Sequence, residues 1–127
     1  MTLEQIFRQL SHPVSILVNN SLGMTINSVQ SFSIHPELLS LNIYNQSPLL
    51  PLQEFELYCL QSHHKELAKY YIHNRTLIEM PKDALYIKCR CVHQFPIADH
   101  SFIIATPYSS TIPKTFKQLG YVQSKFV

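Results

Sequence analysis

The stretch "GMTINSVQSFSIHP", Gly23 to Pro36, decides the reading of this chain. It holds one of only two glycines, followed by a ladder of small uncharged hydrogen-bonding side chains: Thr25, Asn27, Ser28, Gln30, Ser31 and Ser33. The pattern reads as one long strand with a break or bulge near Ser28. Hydrophobic residues make up 46% of the chain and strongly apolar strands flank this segment, so the polar ladder needs a reason. Spacing alone supplies a plain one: Ser, Thr and Asn alternate outward on a half-solvated antiparallel strand.

Working outward, His12-Pro13 ends a first helix that carries Leu3, Ile6, Phe7 and Leu10 on one face. "VSILVNN" is a strand that runs into a turn at "NSLG". "LLSLNIY" alternates, with Leu39, Leu41 and Ile43 on one face and Ser40, Asn42 and Tyr44 on the other. "FELYCL" is a further strand. "SHHKELAKYYIHN" is a helix with Ser62 as its N-cap and Leu67, Tyr70 and Tyr71 turned inward. "ALYIKCRCVHQF" and "HSFIIATP" pair across "PIAD", and a last strand covers "LGYVQSKF". Many strands with two short helices predict a small, mainly β barrel with helices at its ends.

A chain of 127 residues is long enough to bury a core as one domain, 1–127, without disulfides or metal. Charged residues are only 14%, against about a quarter in soluble domains, so part of the surface is expected to be covered by a partner or a second copy. A net charge of +2, with basic residues scattered and none between Arg8 and Lys65, argues against direct nucleic-acid binding. No apolar run approaches the roughly 20 residues of a membrane span. The N-terminus lacks secretory features, and three cysteines fit a reducing compartment. The expectation is an intracellular, cytoplasmic protein, with import into an organelle such as the mitochondrion left open.

The order "HPVSILV", "GMTINSVQSFSIHPELLSLNI", "NQSPLLPL", "FELYCLQSHHKELAKYY" and "ALYIKCRCVHQFPIADHSFII" resembles the flavin reductase-like family. These are FMN-binding split barrels, usually homodimeric. The resemblance implies a function for the polar ladder. A buried isoalloxazine presents carbonyl oxygens and ring nitrogens that must be hydrogen-bonded, and short neutral side chains do this without adding a competing charge. It makes Thr25, Asn27, Ser28 and Ser31 candidate flavin contacts, and it assigns the FMN phosphate to Asn45, Gln46 and Ser47. The Asp99–His100 pair falls at the flavin site, where the histidine would help to hold the nicotinamide of NAD(P)H.

The chain also departs from the pattern of its relatives. Leu49 or Leu50 stands where a hydroxyl or cationic residue is common, so a short helix opening after Pro48, a late lysine or a second subunit would have to meet the phosphate. Tyr58 replaces an asparagine and would narrow the pocket. Only "IHNRTLIEMPKD" separates the helix from the next strand, so the lid is short, and Ala105-Thr106 replaces a Gly-Glu pair. Two function classes follow. One is an FMN-binding oxidoreductase moving hydride from NAD(P)H to flavin N5; the other is a catalytically silent barrel kept as a structural or assembly subunit. Cys89, Cys91 and His93 at i, i+2 and i+4 on a strand would share one face, but strand ligands without a turn read as core rather than zinc. No metal site is expected. His63-His64 reads as a solvated first helical turn.

Overall fold

The computed structural model describes residues 12–122 and 125–127, with Gln5, Gln9 and Leu10 ahead of them. Of the expected first helix only Gln5, Gln9 and Leu10 are described, all exposed, and Gln5 is helical; the rest lies outside the described residues. The strands are β1 (His12–Pro13), β2 (Ser15–Asn19), β3 (Leu22–Ile26), β4 (Gln30–Ile34), β5 (Glu37–Tyr44) and β6 (Glu54–Cys59). Helix α1 (Lys65–His73) follows a short 3-10 turn, and β7 (Leu85–Ile97), β8 (His100–Thr111), β9 (Gly120–Val122) and β10 (Lys125–Phe126) complete the order. No helix among the described residues is long and apolar enough to cross a membrane.

Seven strands form one antiparallel sheet in the order β3-β2-β6-β7-β8-β5-β4. β3 and β4 are consecutive in the chain yet occupy opposite edges. Laid flat, such a sheet would separate its edges by about 29 Å, because neighbouring strands lie about 4.8 Å apart. The chain from Ile26 to Gln30 can span only about 14 Å. The sheet therefore has to curl until its edges meet, which makes it a barrel with an open seam. Ser28 pins the β3–β4 link to β5 beside that seam. Its Oγ donates to the Asn42 carbonyl and accepts from the Asn42 N–H, both at 3.0 Å. Since Gln30 pairs with Ser40, Ser28 stands opposite Asn42 and its hydroxyl takes the place of a backbone rung.

β2 is buried along its whole length, which explains its unbroken apolar run. Leu17 points into the barrel with Leu41, Ile43, Phe55, Leu57 and Ile103. Ile16 and Val18 point outward, against Ala68 and Tyr71 of α1. Asn20 and Ser21, with φ of 54° and 61°, make the two-residue turn into β3, the geometry that matches strand twist. Gly23 on β3 lies against the Tyr71 ring, and its N–H donates to the Arg75 carbonyl at 2.9 Å. The segment after the helix thus covers an otherwise open strand edge.

Three expectations change in the structure. The last strand is two short ones, β9 and β10, forming a small sheet with β1. The turn before α1 starts from Gln61 rather than Ser62, and the Gln61 N–H donates to His64 Nδ1 at 2.9 Å. Tyr58 packs on Tyr86 beside the helix-side core, on the outside of the barrel, so it narrows nothing within.

Candidate functional site

A cleft of about 740 Å³ opens along the seam, where the β3–β4 link faces the far ends of β5, β7 and β8. Met24, Ile26, Ile43, Ile97 and Phe102 give it apolar walls, and Asn27, Ser28 and Asn42 supply neutral polar groups. Tyr44, Asp99 and His100 stand on its β5–β8 side. The volume and the mix of apolar wall with a few polar groups suit a planar heteroaromatic ligand.

The β7–β8 hairpin places the ionisable pair. Ile97 pairs with His100 around a two-residue turn, with Ala98 at φ 55°. His100 Nδ1 lies 2.9 Å from Asp99 Oδ1, and the His100 ring sits 4.7 Å from that of Tyr44. The His100 ring, with smaller help from the Tyr44 hydroxyl, holds the Asp99 carboxyl below its ordinary range. The carboxylate accepts a hydrogen bond from Nδ1–H, which leaves Nε2 without a protein partner among the described residues.

Asn45 fixes this turn from the end of β5. Its N–H donates to the Asp99 carbonyl at 3.1 Å and its Nδ2 to the Ala98 carbonyl at 2.9 Å. Its Oδ1 accepts from Ser101 Oγ at 2.8 Å. The amide therefore braces the residues that carry His100.

The polar ladder divides. Thr25, Asn27 and Ser28 line the cleft together with Asp99 and His100. Thr25 Oγ, however, donates to the Ala68 carbonyl at 2.6 Å and so ties α1 to β3. Ser28 is committed to Asn42, and of the three ladder residues in the cleft Asn27 is the one whose side chain has no partner among the described residues. Ser31 lies on the exposed β4 edge, away from the cleft. Gln46 is exposed, and Ser47 closes a turn in which its Oγ accepts the Leu49 N–H. No helix opens after Pro48, so of the ways offered for meeting the phosphate that one is lost.

The sequence matches no family profile and no curated protein sequence. The three-dimensional comparison is decisive. The styrene monooxygenase flavin reductase from Pseudomonas putida superposes with a TM-score of 0.85 over 100% of this chain and 96% of its own, at 18% identity. The fold is that of the flavin reductases. Flavin reductase HpaC, solved with NADP+, gives a TM-score of 0.81 at 20% identity over 98% of this chain and 94% of its own. The Streptomyces globisporus NADH:FAD oxidoreductase, solved with NAD and FAD fragments, gives 0.85 at 16% identity over 98% and 89%.

On this flavin reductase fold, two histidine readings change. A bulge between Cys91 and His93 turns His93 to the outer face opposite Ile104, while Cys89 stays in the barrel core. The three residues do not share a face. Burial pushes the Cys89 thiol up to about 12, which suits an inert core residue.

His63 and His64 do more than cap a solvated turn. His63 Nε2 meets Asp83 Oδ2 at 2.6 Å, and the buried His64 Nε2 meets Asp83 Oδ1 at 2.9 Å. Nothing local points to Asp83, which only the tertiary fold brings to the helix start. A metal ion would need the His64 Nε2 lone pair, but Nδ1 already accepts the Gln61 N–H. The neutral ring therefore carries its proton on Nε2, aimed at the carboxylate. The cluster is a clamp joining α1 to the segment before β7.

Hydrogen bonds from His63 first, then His64, lower the Asp83 pKa. A folded-state pKa below the unfolded one adds stability above the ordinary carboxylate range and loses it as pH falls through the folded value. The stability gap between wild type and Asp83→Asn will be widest near neutrality and will shrink below about pH 4. Chemical denaturation at a series of pH values checks this; a gap constant down to about pH 2 removes the ionic contribution.

Proposed function

We propose that residues 1–127 act as one split-barrel unit that binds a flavin, FMN in the first instance, in the seam cleft. A bound flavin would supply the hydride-accepting N5 centre, with NAD(P)H as donor. The observation that carries this reading is the convergence of Asn27, Asp99 and His100 on a cleft with apolar walls. The ring system would lie against Met24, Ile97 and Phe102, with the Asn27 amide offering both a donor and an acceptor to its polar edge. His100, oriented by Asp99, would hold the nicotinamide, and Asn45 would position both by bracing their turn. The likeness to flavin reductases and to an NADH:FAD oxidoreductase supports the same reading.

The protein is further proposed to act as a homodimer. Phe32, Ile34, Phe95 and Ile97 are 53%, 71%, 43% and 56% exposed on the outer side of β4 and β7. Phe102 links them: its ring lies 6.1 Å from Phe32 and 5.6 Å from Phe95. This uncharged patch continues into the cleft through Phe102 and Ile97. Free Cys59, Cys89 and Cys91 suit a reducing, cytoplasmic setting.

A second reading, a silent barrel serving as an assembly subunit, is favoured by the commitment of Thr25 and Ser28 to structural bonds. Stopped-flow absorbance separates the two. The flavin-loaded wild type should be reduced by NADH or NADPH. His100→Ala should slow this by about 10- to 100-fold, since a hydrogen bond to a charged group contributes about 1.5–3 kcal/mol. The melting temperature should hold, because His100 follows a turn. A wild type that binds flavin but is reduced by neither nucleotide would leave the subunit reading.

A further inference from the structure

We propose that the cleft recognises the flavin by its ring system alone, so that riboflavin, FMN and FAD bind with similar affinity. This rests on the flavin reading above. A phosphate dianion removed from water is held by cations, by hydroxyls, or by several convergent N–H groups. Among the described residues, the cleft lining contains no lysine or arginine.

The loop expected to hold the phosphate has almost no donors to give. The Asn45 N–H goes to the Asp99 carbonyl, the Ser47 N–H to the Tyr44 carbonyl and the Leu50 N–H to the Ser47 carbonyl. The Leu49 N–H goes to Ser47 Oγ, and Pro48 has none. The side chains are committed as well: Asn45 Nδ2 donates to Ala98, and the Ser47 hydroxyl is directed at Met24 Sδ. Only Gln46 keeps its donors uncommitted. The Asp99 carboxylate adds a negative charge at the cleft, and the neighbouring His100 Nδ1 is already hydrogen-bonded to it.

The charge pattern thus repels a phosphate where the apolar walls attract a ring. A cleft of this kind draws its affinity from ring burial and neutral hydrogen bonds, which salt hardly screens.

The test is fluorescence and calorimetric titration of the full chain with riboflavin, FMN and FAD at about 0.02 and 0.3 M ionic strength. The expected dissociation constants agree within about threefold and do not move with salt. Gln46→Lys should then create a preference for FMN over riboflavin of about tenfold while leaving riboflavin binding unchanged. Wild-type FMN binding at least tenfold tighter than riboflavin, and weakened by salt, would overturn the inference and leave the flavin reading intact. Failure of all three flavins to bind would remove the flavin reading itself, and this inference with it.

Discussion

A Gly23→Val variant will be about 2–3 kcal/mol less stable than wild type. A Cβ at Gly23 would stand 2.6 Å from Tyr71 Cε1 and 3.0 Å from Cδ1, with Leu77 Cδ2 at 3.1 Å. The glycine is required by space, since its φ is not positive. Tyr71 cannot yield easily. It is fully buried, its hydroxyl bonds Met80 Sδ and the Ile78 N–H, and its ring packs edge-on against Tyr70 at 4.8 Å. Overpacking would push α1 off β3 and strain the Thr25–Ala68 bond at the cleft wall. Thermal melts should show a fall of roughly 8–12 °C. Adding Tyr71→Leu should destabilise the variant less than it destabilises wild type, because the two sites are in contact. A melting point within about 1 °C of wild type would show that the sheet and helix separate at little cost.

Phe95→Glu will dissociate the proposed homodimer at low micromolar concentration. Phe95 belongs to the aromatic row with Phe102 and Phe32, and a carboxylate placed there would be desolvated without a counter-ion. Loss of an aromatic anchor at the centre of an interface costs about 2 kcal/mol or more, so the dissociation constant should rise by at least about 30-fold. Because Phe95 is partly exposed in one chain, the fold should survive, and unchanged circular dichroism serves as the control. Sedimentation equilibrium of both proteins reads the result. A wild type that is monomeric at the same concentration rules out self-association, whereas a variant that stays dimeric moves the contact to another face.

Local periodicity carried most of the fold. β2 and β5 were legible because one has an unbroken apolar centre and the other alternates from Leu39 to Tyr44. The break near Ser28 was also legible, though its purpose was not. Nothing local shows that the strands on either side of it belong to opposite sheet edges. The cleft was partly legible, in that Asn27, Ser28, Asp99 and His100 line the same cavity. What stayed hidden depends on partners distant in sequence. Asn45 looks like a ligand contact until the Ala98 and Asp99 carbonyls are beside it. Thr25 looks free until α1 is placed, and the His63–His64–Asp83 clamp joins residues about twenty positions apart. His93 was misplaced because a single bulge inverts the facing of every residue after it.

The three residues that join β3 to β4 also set an order of events. The β2–β3, β4–β5 and β7–β8 pairs are hairpins with two-residue turns, so each can close early at small entropic cost. β2 with β6 and β5 with β8 must wait for long loops to close. The Ser28 rung on Asn42 extends the β4–β5 hairpin and can form with it, whereas the β3 and β4 edges meet only when all of these pairings are in place, so the seam is the last part of the barrel to close and the first that can open. A molecule lodged across it binds the closed barrel and nothing before it. At a hundredfold excess over its dissociation constant such a molecule adds about 2.7 kcal/mol against reopening. The flavin proposed for this cleft would thereby also be the clasp of the barrel, and the empty protein would be the form most exposed to proteolysis at residues 27–29.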